Sequence, residues 1–210
     1  MKSNKNAFII GDSYSTYAGY IPKGYHWYYG DERKEAPIVK GVENTWWHIL
    51  ARENGFEIIL NDSFSGSTVC DTVRDYLKPE SSFVYRLDKY IAEGFFTENK
   101  IDTVFIFGGT NDNWTDVPVG ELKYEDLTKE DLKSILPAFC HIIKKSTEVA
   151  DNVIVIMNTN LKEELTGGVE EACKKLGAVC VRLKEIDKQC GHPTELGMKQ
   201  IAEQVKAHLN

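Results

Sequence analysis

Short apolar runs alternate along nearly the whole chain with longer stretches in which apolar residues recur every three or four positions. The runs at 7–10, 57–60, 103–107, 153–157 and 178–181 have strand length, while the stretches near 45–54, 67–77, 82–94, 128–148, 162–176 and 194–208 carry a helical period. This β/α order predicts parallel strands joined by right-handed crossover helices that cover both faces of one sheet. The punctuation agrees with it. Asn44-Thr45 reads as a cap before Trp46, Gly55 closes that helix, and Gly177 separates a Lys-rich helix end from the last strand. Thr128-Lys129-Glu130-Asp131 places acidic residues where the dipole of the long helix would favour them.

One segment breaks the rhythm. Residues 14–29 hold six of the ten tyrosines, and the stretch at about 17–44 mixes Gly, Pro and charge without a period. It reads as an excursion from the sheet, too aromatic for disorder and long enough to be functional. Trp46 and Trp47 sit on a helix pattern, where a core role is favoured for at least one of them.

With 210 residues, 42% hydrophobic and 27% charged, the chain supports one well-buried core, so residues 1–210 are expected to form a single domain. A net charge of -7 and the lack of a dense Lys/Arg cluster argue against a nucleic-acid partner. There is no apolar stretch of membrane-spanning length and no signal-peptide pattern, so no membrane partner is expected. Cys70, Cys140, Cys173, Cys180 and Cys190 are odd in number and lack C-x-x-C spacing. They read as reduced thiols of a cytoplasmic protein, although an export signal removed before this sequence begins stays open. Two matches to the glycosylation pattern, at Asn61 and Asn113, mean nothing without export.

Candidate chemistry gathers at strand ends. Gly11-Asp12-Ser13 follows the first strand, Asn61-Asp62-Ser63-Phe64-Ser65-Gly66-Ser67 the second, and Gly108-Gly109-Thr110-Asn111-Asp112-Asn113 the third. In an open α/β sheet these loops converge at one edge, where ligands bind. Ser13 is the candidate nucleophile and needs a base, for which His192, in Gly191-His192-Pro193-Thr194 before the last helix, is the candidate. The Ser13 and Gly66 N–H groups and the Asn111 amide would form an oxyanion hole. Taken singly, each motif also reads as a turn or a helix cap. Their order and placement together favour a site.

That set resembles the SGNH (GDSL-type) hydrolase family, with Ser13, Gly66, Asn111 and His192 in its four blocks. The resemblance implies a three-layer α/β/α, flavodoxin-like domain with a parallel sheet of about five strands. It also implies ester hydrolysis through an acyl-serine, with no metal or cofactor. The chain departs from the family where an Asp commonly stands three residues before the histidine, because that position is Gln189. Asp187, the Gln189 side chain or a backbone carbonyl would then have to hold the imidazole, as a triad or as a dyad.

The expected substrate is a small-molecule ester with a small acyl group such as acetyl. Trp27, Tyr28, Tyr29 and Trp114 would suit a carbohydrate part, since their faces stack on sugar rings. Two alternatives belong to other classes. One is a non-catalytic carbohydrate-binding descendant of the same fold. The other is a phosphate-binding module, which the absence of a Walker or dinucleotide glycine pattern disfavours.

Overall fold

The computed structural model describes residues 5–72, 77–115 and 117–209. Five parallel strands form the sheet: β1 (Lys5–Gly11), β2 (Phe56–Ser63), β3 (Ile101–Gly108), β4 (Ala150–Met157) and β5 (Val179–Arg182). Their spatial order is β2-β1-β3-β4-β5, the flavodoxin-like arrangement, which reverses direction between β1 and β3. The helices are α1 (Trp46–Asn54), α2 (Phe83–Ala92), α3 (Phe95–Glu98), α4 (Thr110–Asn113), α5 (Ile135–Val149), α6 (Glu163–Leu176) and α7 (Glu195–Lys206). A hairpin of β6 (Lys188–Gln189) and β7 (His192–Pro193) stands outside the main sheet.

Alternation along each strand feeds two cores. Phe8, Ile10, Val104, Ile106, Val153 and Val155 point to the face covered by α2, α5 and α6. Ala7, Ile9, Phe105, Phe107, Ile154 and Ile156 point to the face covered by α1 and α7. The central strands are therefore apolar over residues 7–10, 104–107 and 153–157, as parallel strands buried on both sides must be. Trp46 and Trp47 both belong to the second core, and the Trp46 indole N–H donates to Ser15 Oγ at 3.2 Å. The predicted helix ends at Gly55 and Gly177 hold, with both glycines in the left-handed conformation.

Two predicted helices are corrected. Residues 67–72 are not helical, because the Asp112 carboxylate takes the backbone N–H groups of Val69 and Cys70 and Leu132 O takes that of Asp71. Leu77 is also non-helical, and residues 73–76 of that predicted helix lie outside the described residues. The long helix begins at Ile135 rather than 128. Asp131 accepts from the N–H and hydroxyl of Thr128, which closes a separate 3-10 turn, and Ser134 is extended. The first donors of α5, on Ile135 and Leu136, then go to Pro118 O and Val119 O. No helix among the described residues is long and apolar enough to cross a membrane.

Candidate active site

Ser13 lies just past the carboxyl end of β1, between β1 and β3 where the strand order reverses, the position at which open α/β sheets bind ligands. The chain turns there in very little space. A Cβ on Gly11 would come within 2.6 Å of Ser63 Oγ and 2.8 Å of Ser15 Oγ, so this position excludes a side chain. Asp12 caps the 3-10 turn Ser13–Ser15 by accepting Tyr14 N–H at 3.0 Å. Burial pushes the Asp12 carboxyl up to about 7, with Asp112 adding repulsion.

The second and third strand ends meet this turn as expected. Phe64 N–H donates to Gly11 O at 3.0 Å, and Gly66 is left-handed with φ 88°. Asn111, at the start of α4, donates from Nδ2 to Ser67 O at 2.8 Å, which ties its amide to the Gly66 loop. Asp112 next to it clamps the same loop through Val69 N, Cys70 N and Cys70 Sγ. Below the loop, the buried Arg86 guanidinium pairs with Asp62 and also donates to Ser81 O, Gly11 O and Ser67 Oγ. One buried ion pair thus joins the ends of β1 and β2.

His192 enters from the far end of the sequence on the β6–β7 hairpin. Cys190 (φ 50°) and Gly191 (φ 77°) form its two-residue turn, and positive φ at both central positions matches the twist of a tight hairpin. His192 Nε2 lies 3.0 Å from Ser13 Oγ, and its Nδ1 lies 3.3 Å from Cys190 O. Three tyrosines of the aromatic excursion surround this histidine. Tyr14 OH donates to Gly191 O and Tyr29 OH to Pro193 O, which pins the backbone on either side. The Tyr28 ring stacks on the imidazole, with centroids 3.5 Å apart and planes 7° from parallel. Burial, with Arg33 and Lys188 nearby, lowers the His192 pKa to about 4.

The remaining predicted residues fall in different places. The Asp187 carboxylate accepts from Thr194 Oγ1, and its backbone O from Thr194 N, so it anchors the start of α7 and does not hold the imidazole. Gln189 faces His192 across the hairpin but is exposed, and the Cys190 carbonyl takes the acceptor position. Tyr29 is fully buried and leaves the set of substrate-binding candidates, because its ring lies in the core and its hydroxyl on Pro193. Trp27 (44% exposed) and Trp114 (58% exposed) remain open to solvent. Trp114 lies beside Gly191, so it is at the site's rim. Sequence reasoning missed the roles of Tyr14, Asn158 and Lys188. Asn158, at the end of β4, donates to Tyr14 OH at 3.0 Å and to Thr110 Oγ1 at 3.1 Å, and Lys188 Nζ donates to Asn158 Oδ1 at 2.6 Å. The two-residue Cys190-Gly191 turn was the available signal for the hairpin that carries Lys188 and His192.

A serine and a histidine in contact at the carboxyl edge, with loops from two further strand ends beside them, is the geometry of a distributed hydrolase site. The model of the GDSL-like lipase/acylhydrolase family matches residues 5–209. The chain belongs to that family. It is similar to a solved putative GDSL-like lipase from Bacteroides ovatus, with 36% identity, a TM-score of 0.89, and coverage of 99% of this chain and 98% of the other. A putative GDSL-like lipase from Bacteroides uniformis matches with the same identity and TM-score, over 99% and 96% of the two chains. An acetyl xylan esterase from Geobacillus stearothermophilus shares the fold at 15% identity and a TM-score of 0.55, over 98% and 95%. Among curated proteins none matches. As a GDSL-like family member, the chain is a hydrolase of ester bonds.

Proposed function

We propose that the protein is a serine esterase for small acyl esters, acetylated carbohydrates among them, and that it works with a Ser13–His192 dyad. The observation that carries this reading is the 3.0 Å contact between Ser13 Oγ and His192 Nε2. The Cys190 carbonyl accepts from Nδ1–H, which leaves the Nε2 lone pair facing the serine. His192 Nε2 takes the Ser13 proton as Oγ adds to the ester carbonyl. The oxyanion is met by the Ser13 and Gly66 N–H groups and the Asn111 amide. The imidazolium then protonates the departing alcohol as the C–O bond breaks, leaving acyl-Ser13. Water, deprotonated by His192, cleaves that ester and returns the serine. Exposed Trp27 and Trp114 are suited to stack on a sugar ring at the rim.

The test is hydrolysis of p-nitrophenyl acetate and of acetylated sugars by the wild type, Ser13→Ala and His192→Ala. Turnover by the wild type alone supports the reading. An inert wild type, or full activity in Ser13→Ala, refutes it.

A further inference from the structure

Two tyrosine rings contact the His192 imidazole, and a cation caps each of them. Tyr28 stacks at 3.5 Å with the Arg33 guanidinium over its ring at 3.9 Å. Tyr14 lies 5.3 Å from the imidazole and has Lys188 Nζ 5.5 Å from its centroid. Among the described residues neither cation has a buried counter-charge. Lys188 is half-buried, and its Nζ donates only to neutral oxygens, Asn158 Oδ1 and Thr159 Oγ1, at 2.6 Å each. No carboxylate ion pair forms with it among the described residues. The Arg33 side chain is 18% exposed, and its one carboxylate neighbour is Glu35, 4.0 Å away and 89% exposed. Asp187, adjacent to Lys188 in the chain, is turned to Thr194, and Asp12 is turned to Tyr14 N–H. A chain of net charge -7 therefore places two cations around its catalytic histidine, Lys188 with no carboxylate partner among the described residues and Arg33 paired only with the exposed Glu35.

A cation held partly out of water with no buried carboxylate beside it gains from an anion that arrives from solution. We propose that this site takes an anionic ester, one whose acid or alcohol part carries a carboxylate, and that Lys188 and Arg33 draw that carboxylate to the Ser13–His192 pair. The inference rests on the esterase reading and names its substrate class. The bound carboxylate also supplies the negative charge that Gln189 and Asp187 do not give the imidazole. Proton uptake by His192, disfavoured by burial and by both cations in the free protein, then becomes favourable with substrate in place.

Two matched pairs of esters test this and separate the two positions of the charge. p-Nitrophenyl acetate against mono-p-nitrophenyl succinate places it on the acid part, and acetylated galactose against acetylated galacturonate on the alcohol part. The expected result is a kcat/KM ratio of about tenfold or more for the anionic member of at least one pair. That ratio should shrink in about 0.5 M NaCl and fall towards one in Lys188→Gln and Arg33→Gln. A ratio at or below one in both pairs overturns the proposal, as does a ratio that neither substitution changes. Calorimetry on Ser13→Ala with galacturonate against galactose, and with succinamate against acetamide, distinguishes failure of the esterase reading. Tighter binding of either anion than of its neutral counterpart, without turnover of any ester by the wild type, keeps the carboxylate site and removes the esterase reading. No preference for either anion overturns the site itself.

Discussion

Replacing Tyr28 with leucine removes the largest contact made by the His192 ring. The imidazole and phenol rings are 3.5 Å apart and 7° from parallel, so essentially a whole ring face is lost. An aromatic pair contributes about 0.5–1.5 kcal/mol beyond its area. Once the imidazole carries a proton, the phenol face adds a cation–π term of about 0.5–2 kcal/mol. Because only the second term is specific to the protonated ring, and the partly buried stack lies in the upper part of its range, the transition state should lose about 1–2 kcal/mol relative to bound substrate. That corresponds to a fall of about 5- to 30-fold in kcat, with little change in KM. Tyr28→Phe keeps the ring and should stay within about twofold of wild type by the same reasoning. Steady-state kinetics on p-nitrophenyl acetate measures the split. A Tyr28→Leu enzyme with unchanged kcat and a raised KM would refute this account and make Tyr28 a substrate contact.

Further expectations concern the rest of the site. Asn111→Ala should lower kcat by about 10²- to 10³-fold, as loss of one oxyanion donor does elsewhere, and a fall under threefold would remove it from that role. Asp187→Asn should leave kcat within about threefold, far from the roughly 10⁴-fold loss seen when a triad carboxylate is neutralised; a loss of that size would restore a triad. Because burial lowers His192 to about 4, its neutral, basic form persists as pH falls. The acid limb of kcat/KM for a neutral ester should therefore lie near 4 rather than at an unperturbed 6.5, and stability should gain a contribution above 6.5 that fades as pH drops through 4. Arg86→Met leaves buried Asp62 without its partner and should cost about 3–5 kcal/mol in urea unfolding, whereas a cost under 1 kcal/mol would contradict the role of this pair.

The strands and their layering were legible because parallel strands buried on both faces read as continuous apolar runs, as Phe8-Ile9-Ile10 and Val153-Ile154-Val155 do. Ser13, Gly66, Asn111 and His192 could be picked out because each falls within three residues of the end of a sheet strand or the start of the last helix. What could not be read was decided by contacts distant in sequence. Asp112 takes the donors that would have continued a helix from residue 67. Tyr28 and Tyr29 looked like a substrate wall because nothing local shows that they meet a hairpin more than 160 residues away. Gln189 raised the right question about how the histidine is held. Its answer, a backbone carbonyl two residues before the ring, leaves no mark in side-chain identity.

The central claim is that Ser13 becomes acylated with His192 as its base, and covalent trapping tests it most directly. Incubating the protein with a p-nitrophenyl alkylphosphonate and mapping the adduct by mass spectrometry should place one phosphonyl group on the Ser13 peptide. Release of p-nitrophenol should be stoichiometric and should be lost in Ser13→Ala and strongly slowed in His192→Ala. Labelling of another residue, or equal labelling after His192→Ala, would contradict the account.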